Sequence, residues 1–269
     1  MDLSSIIGWV FGFAIIIFGI TLDKIGNFVD ASSLLIVLGG TIFAVVASYP
    51  FSELKNIGAH MKMLFQGNKY KPENAIEKLV ELAQSARREG LLSLEEKAGE
   101  MEEPFFKKSL LLIVDAMDEE KIRTMLEDEV ACMEARHEIG AGIYDKAASY
   151  APAFGMIGTL VGLINMLKEM KLSEGASTEL GEQMSIALVT TFYGCMLANL
   201  LLMPIAKKLR MRNEEEVIYR QVIIEGVLGI QAGDNPKMLR EKLISYLPQK
   251  KQKKLLDEEQ AGGNPRKEK

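Results

Sequence analysis

The chain has 269 residues, of which 48% are hydrophobic and 26% charged, and a formal net charge of −5. Its mean hydropathy of +0.07 is that of an ordinary acidic globular protein. Lys and Arg are matched by Asp and Glu with no aromatic-interleaved basic stripe, which argues against nucleic-acid binding, and two cysteines, Cys132 and Cys195, cannot build a disulfide framework.

The averages conceal a segregation along the chain. Residues 3–22, 31–52, 147–167 and 183–206 contain no Asp, Glu, Lys, Arg or His, and each reaches the roughly 20 residues that a helix needs to cross hydrocarbon. Four transmembrane helices follow. No basic residue precedes the first run, the run is too long for a signal-peptide core, and Asp23 follows it without a small-x-small cleavage site, so it reads as a retained span. With four spans, both long charged blocks lie on one side. Lys55 and Lys62 after the second span, and Lys207, Lys208, Arg210 and Arg212 after the fourth, place that side, and both termini, in the cytoplasm. The short outer loops carry only Lys24 and the pair Lys168 and Lys171.

The block 53–146 reads as helical throughout. Ala75, Leu79, Leu82 and Ala86 recur at helical spacing, Gly90 punctuates, and breaks fall at Pro104 and Asp118. From Lys121 no strong breaker appears before Gly140, which predicts a long helix feeding the third span. The stretch from Asn213 is amphipathic, with Val217, Ile218, Val222 and Leu228 apolar, and the polar end after Leu247 reads as disordered. The expected fold is therefore an all-α membrane protein. Its parts are spans in 1–52, a cytoplasmic helical domain in 53–146, spans in 147–206, cytoplasmic helices in 207–247 and a polar tail in 248–269.

Within the third span, Ala151, Gly155, Gly158, Thr159 and Gly162 share a face that lets backbones approach, as ordinary helix packing also would use it. In the fourth, Thr190, Thr191 and Asn199 sit among apolar residues, where hydroxyls either bond back to their own helix or coordinate a passing cation. Pro152 and Pro204 each remove a backbone N–H and free the carbonyls of Ala148 and Leu200. The spans hold no carboxylate, His, Lys or Arg. An ion-coupled machine normally keeps one in the membrane, so a partner must supply the carboxylate if this chain moves ions. There is no nucleophile elbow, zinc-binding HExxH, phosphate loop or dinucleotide fingerprint, so no catalytic residue and no cofactor is assigned. Cys132 with His137 lacks the remaining ligands of a metal site, and His60 reads as an isolated interfacial residue.

The residues PAFGMIGTLVGLINML at 152–167 and MSIALVTTFYGCMLANLLLMPIA at 184–206, with LGGT at 38–41 and ARREGLLSLEE at 86–96, closely resemble the flagellar motor stator A subunits of the MotA/PomA family. The resemblance extends over most of the chain. It implies a homopentamer around two copies of a B subunit, which supplies a membrane aspartate and a peptidoglycan-binding domain. Ion passage at the A/B interface would then turn the A ring against the rotor switch protein of the flagellar C-ring, from the bacterial inner membrane. By the same resemblance Arg87 and Glu95 engage the rotor, Pro152 and Pro204 couple ion passage to movement, and Thr159 and Thr191, with Thr190 beside them, line the ion path. Hydroxyls there are similar to the sodium-type pattern, whereas a proton is the family's general case and the expectation kept here. The alternatives are an energiser of outer-membrane transport and a non-conducting scaffold.

Overall fold

The computed structural model describes residues 3–65, 70–172 and 177–262, and every regular element among them is helical. Lys171 lies at the rim of this range, and the outer loop beyond it, like the last seven residues of the polar tail, falls outside the described residues. The chain divides into two compact units, Met1–Gly67 with Arg136–Met211, and Asn68–Ala135 with Arg212–Lys269.

In the first unit three helices among the described residues are long and apolar enough to cross a membrane: Ala31–Ser48, Glu119–Lys168 and Leu180–Gln231, the last two running on past the unit's edge. The first expected span is different. Its helix ends at Ile20, Thr21 takes a φ of 68°, and the chain turns by 96° into a 3-10 helix at Leu22–Phe28. Broken helices of this kind make a fourth crossing only if the bent pair counts as one. Two π turns, Leu35–Gly39 and Leu197–Leu202, interrupt the second and fourth apolar runs.

The unit's interior is a string of small clusters rather than one core. Val45, Ile143 and Ala147 form one, and Ala148, Ala151 and Ala198 another. At one end Leu64 joins Ala141, Tyr144, Ile205, Ala206 and Leu209. The outward faces stay apolar: Phe18 is 86% exposed, Leu35 76% and Phe43 74%. An exposed apolar surface of that extent belongs against lipid or a partner, not water.

The second unit has a conventional core. Leu79, Phe106, Leu110, Ile113, Ile122, Leu126, Ile223 and Leu228 are almost completely buried there. The expected stripe of Ala75, Leu79, Leu82 and Ala86 is buried as one face of the Pro72–Glu89 helix. Helix starts follow from the sequence. Glu103 accepts hydrogen bonds from the backbone N–H groups of Phe105 and Phe106, Asn235 accepts from Lys237, and Pro104 and Pro236 occupy first-turn positions where no N–H is needed. The long helix runs from Glu119 to Leu172, with Pro152 inside it. Gln249–Gly262 is helical where a disordered tail was expected, because Leu255 is buried in the core and Lys251 pairs with Glu73 at 2.7 Å.

Candidate functional site: a threonine node between two apolar helices

The Glu119–Leu172 helix meets the Ser177–Met196 helix in antiparallel register. A β-carbon built on Gly162 would lie 2.8 Å from the Gln183 carbonyl oxygen, one on Gly155 3.1 Å from that of Thr190, and one on Gly194 2.6 Å from that of Ala151. Any larger residue at these three positions pushes backbone against backbone. The glycine face read from the sequence is thus the contact surface of the pair, and Ala151, Gly155, Gly158 and Gly162 are all buried in it.

Close approach brings three hydroxyls to one carbonyl. Ala187 O lies 3.0 Å from the Oγ1 of Thr159, 3.0 Å from that of Thr190 and 3.3 Å from that of Thr191. Each hydroxyl also has a second partner: Gly155 O at 3.1 Å for Thr159, Ile186 O at 2.7 Å for Thr190, and a direct Thr159–Thr191 bond across the helices. A carbonyl oxygen has two lone pairs, so it cannot serve three donors at once. At least one of the hydroxyls must therefore turn to its second partner. Thr190 is fully buried beneath Gly158, whereas Thr159 and Thr191 remain half-exposed. The node offers an oxygen-lined surface on an otherwise apolar face, the ligand type that hard cations take.

One carboxylate that borders an apolar run is committed locally. Asp30 caps the Ala31–Ser48 segment, accepting from Ser32 Oγ and Ser33 N at 2.6 Å each, and these hydrogen bonds hold it below the usual carboxylate range. Tyr193 donates its hydroxyl to the Phe28 carbonyl nearby.

The two prolines stand in different settings. Pro152 lies inside a continuous helix directly against Gly194, whose β-carbon would be 3.1 Å from the Pro152 Cα. Pro204 follows the π turn at Leu197–Leu202, which widens the helix where the ring would otherwise press on the carbonyl four residues back.

In the second unit, Gly90 adopts φ 86° and ψ 166°, a conformation closed to side-chain-bearing residues. This turn ends the Pro72–Glu89 helix at Arg87 and Arg88 and starts the Leu94–Gly99 helix at Glu95 and Glu96. Basic groups thus sit at a helix C-terminus and acidic groups at an N-terminus, as the helix dipoles favour. Leu94 is fully buried and Lys97 bonds Ser85, which fixes the corner, while all four charged side chains are exposed with no ion pair among the described residues.

One feature escaped the sequence. His60 is not an isolated interfacial residue: its ring packs 5.9 Å from that of Tyr144 and against Gly140, on the helix face that also carries His137. Spacing of three and seven residues along 137, 140 and 144 was the available signal, but nothing in the sequence pointed it at residue 60.

Comparison with known proteins agrees with this architecture. Residues 6–90 match the family described as motility protein A N-terminal, and residues 97–222 the MotA/TolQ/ExbB proton channel family. The chain is 41% identical over 257 residues to motility protein A of Borreliella burgdorferi, covering 95% of this chain and 97% of the relative. It is 39% identical over 259 residues to the chemotaxis protein PomA of Vibrio alginolyticus, covering 96% and 100%. The flagellar MotAB stator complex from Bacillus subtilis matches with a TM-score of 0.87 and 37% identity over 94% of this chain and 99% of that one. A protein with these helices, this glycine-packed contact and these relatives is not an enzyme: the chain belongs to the MotA/PomA family of ion-channel subunits that generate torque in flagellar stators.

Proposed function

We propose that the threonine node is the part of the ion path that this chain contributes, and that a B subunit completes it with a membrane carboxylate. The observation that carries the reading is the convergence of the Thr159, Thr190 and Thr191 hydroxyls on Ala187 O, on a helix pair whose apolar runs contain no Asp, Glu, Lys, Arg or His. An ion crossing hydrocarbon needs both a counter-charge and ligands. The node supplies ligands alone, and the MotAB structures that resemble the chain are complexes with a second subunit.

In this reading the bent first pair counts as a span, which gives four crossings with both termini in the cytoplasm of a bacterial inner-membrane protein. Five copies surround two B subunits whose second domain grips peptidoglycan. Ion arrival at the partner carboxylate changes the charge beside the node, Pro152 and Pro204 let the helices follow, and the Arg87/Glu95 corner pushes the rotor switch protein. A proton is the coupling ion, in keeping with the family description. Sodium is the alternative, favoured by the hydroxyls themselves, and swimming speed that tracks external sodium rather than pH would replace the proton. The match of residues 6–90 to the motility-specific N-terminal family favours a flagellar role over outer-membrane energising.

The test is a gene deletion in the native organism, with flagella counted by electron microscopy. Flagellated cells that cannot swim, restored by the wild-type gene but not by Pro152→Leu, are expected. Flagellated cells that swim normally in the absence of a second stator set would refute the reading.

A further inference from the structure

We propose that Glu216 is a positioning residue for torque: with Tyr70 and Arg220 it fixes the register between the helix that continues the fourth apolar run and the helix that carries Arg87. The proposal rests on the reading above in one respect, that the Arg87/Glu95 corner acts on the rotor.

Glu216 is the only charged residue that is buried among the described residues, at 6% exposure. Arg220, one turn on, donates to its Oε1 from Nε at 3.1 Å and from Nη2 at 2.8 Å. The Tyr70 hydroxyl hydrogen-bonds the same carboxylate, and burial, with the Glu216 charge next, pushes its pKa up to about 12, so it stays a donor. Around this centre the Tyr70 ring lies 5.3 Å from that of Tyr219, the Arg220 guanidinium stands 4.7 Å over the Phe105 ring, and Glu129 Oε1 is 3.8 Å from Arg220 Nη1. One carboxylate therefore joins, directly or through Arg220, four segments of the second unit. These are Tyr70 at the foot of the Pro72–Glu89 helix, Phe105 in Pro104–Val114, Glu129 in Glu119–Leu172, and the helix of Glu216 itself.

Stability alone does not account for a charge in that place. Taking an ion pair out of water can cost more than the pairing returns, and apolar side chains of like volume are often neutral or stabilising in its stead. Apolar contact is non-directional and accepts more than one alignment. A hydroxyl and a guanidinium meet one carboxylate in a single alignment, because hydrogen bonds weaken steeply once bent or stretched. That alignment matters because of where the two helices lead. Glu216 lies on Leu180–Gln231, the helix that also holds Thr190 and Thr191. Tyr70 stands two residues before the helix that ends at Arg87 and Arg88. Farther along, Leu79 packs on Gly226, where a β-carbon would collide with the Leu79 Cδ1, so the two helices lie side by side. The Glu216 clamp sets their register, and movement of one along its axis reaches the corner on the other through it.

The test uses the full stator complex carrying Glu216→Met and Arg220→Met together, which removes both charges and keeps their volume. Thermal melting is measured on the purified complex, ion flux in proteoliposomes that contain no rotor, and stall torque per stator unit in tethered cells. Melting at or above the wild-type temperature is expected, with flux unchanged and stall torque severalfold lower. Tyr70→Phe removes one hydroxyl and keeps both rings, and it should lower torque in the same way at nearly unchanged melting. Where the double variant does not assemble, Tyr70→Phe decides the matter.

Wild-type torque per unit in Tyr70→Phe, or in the assembled double variant, would overturn the proposal. A loss of torque that only follows a loss of melting temperature or of flux would overturn it too, since Glu216 would then be structural. Failure of the underlying reading looks different: Arg87→Glu in an otherwise unaltered chain would leave stall torque at the wild-type value.

Discussion

Gly194 rests directly on Pro152: a β-carbon at Gly194 would stand 3.1 Å from the proline Cα and 2.6 Å from the Ala151 carbonyl oxygen. Because both obstacles are backbone, neither can swing aside as a side chain can. Gly194→Ala should lower the stability of the complex by about 1–3 kcal/mol, the usual cost of overpacking, and Gly194→Val by more. Thermal unfolding of the purified complex measures it. An unchanged midpoint in the Val variant would show that the helices do not meet as described.

The threonine node makes a different prediction. Thr159→Val and Thr191→Val keep shape and remove one oxygen each, and the lost hydroxyl leaves Ala187 O still served by the remaining threonines. Stability should change by about 1 kcal/mol or less, whereas ion flux through the complex, followed with a fluorescent indicator in proteoliposomes, should fall severalfold. Flux equal to wild type in the double variant would remove these hydroxyls from the ion path.

Arg87 is exposed and unpaired among the described residues, as is Glu95 across the Gly90 turn. Charge reversal at such a surface position costs little folding free energy, within about 0.5 kcal/mol. Arg87→Glu should therefore leave the complex assembled and its melting unchanged while swimming is impaired, and Glu95→Lys should behave alike. Loss of assembly would mean that the corner is structural and does not act on the rotor.

His60 gives a pH dependence with a defined sign. Burial first, and then the charge of His137, hold its pKa below the ordinary 6.5, with Glu53 acting weakly the other way; the Tyr144 ring packs beside it. The folded protein thus keeps His60 neutral where the unfolded chain would take a proton. Its contribution to stability is intact above pH 6.5 and declines as pH falls from there towards the lower folded-state value. Melting temperature measured from about pH 7 down to about pH 5 should drop less in His60→Gln than in the wild type. Parallel curves would show that His60 does not titrate in a buried setting.

The apolar runs were legible in the sequence because charge is expelled from them. The glycine face was legible because small residues recurred at helical spacing. Ala75, Leu79, Leu82 and Ala86 were legible for the same reason, since periodicity reports which face is covered. What covers it is another matter. The meeting of Thr159 with Thr191, 32 positions apart, depends on the register of two antiparallel helices, which no local pattern encodes. His60 against Gly140 is a pairing of that kind, and so is Arg123 with Glu225 at 2.6 Å. The break at Thr21 also went unread, because the residue's φ of 68° is uncommon for threonine and no glycine or proline marks the turn.

The π turn at Leu197–Leu202 sets the phase of everything that follows it in the first unit. Each residue of an α-helix advances by about 100°, and a π turn amounts to one residue more than an α-helix would use over the same rise. Deleting a single residue from this segment would swing Ile205, Ala206 and Leu209 out of the cluster they now form with Leu64 and Tyr144. The side chains within it can be exchanged for others of like size. At these six positions the protein tolerates changes in what the residues are far better than changes in how many there are.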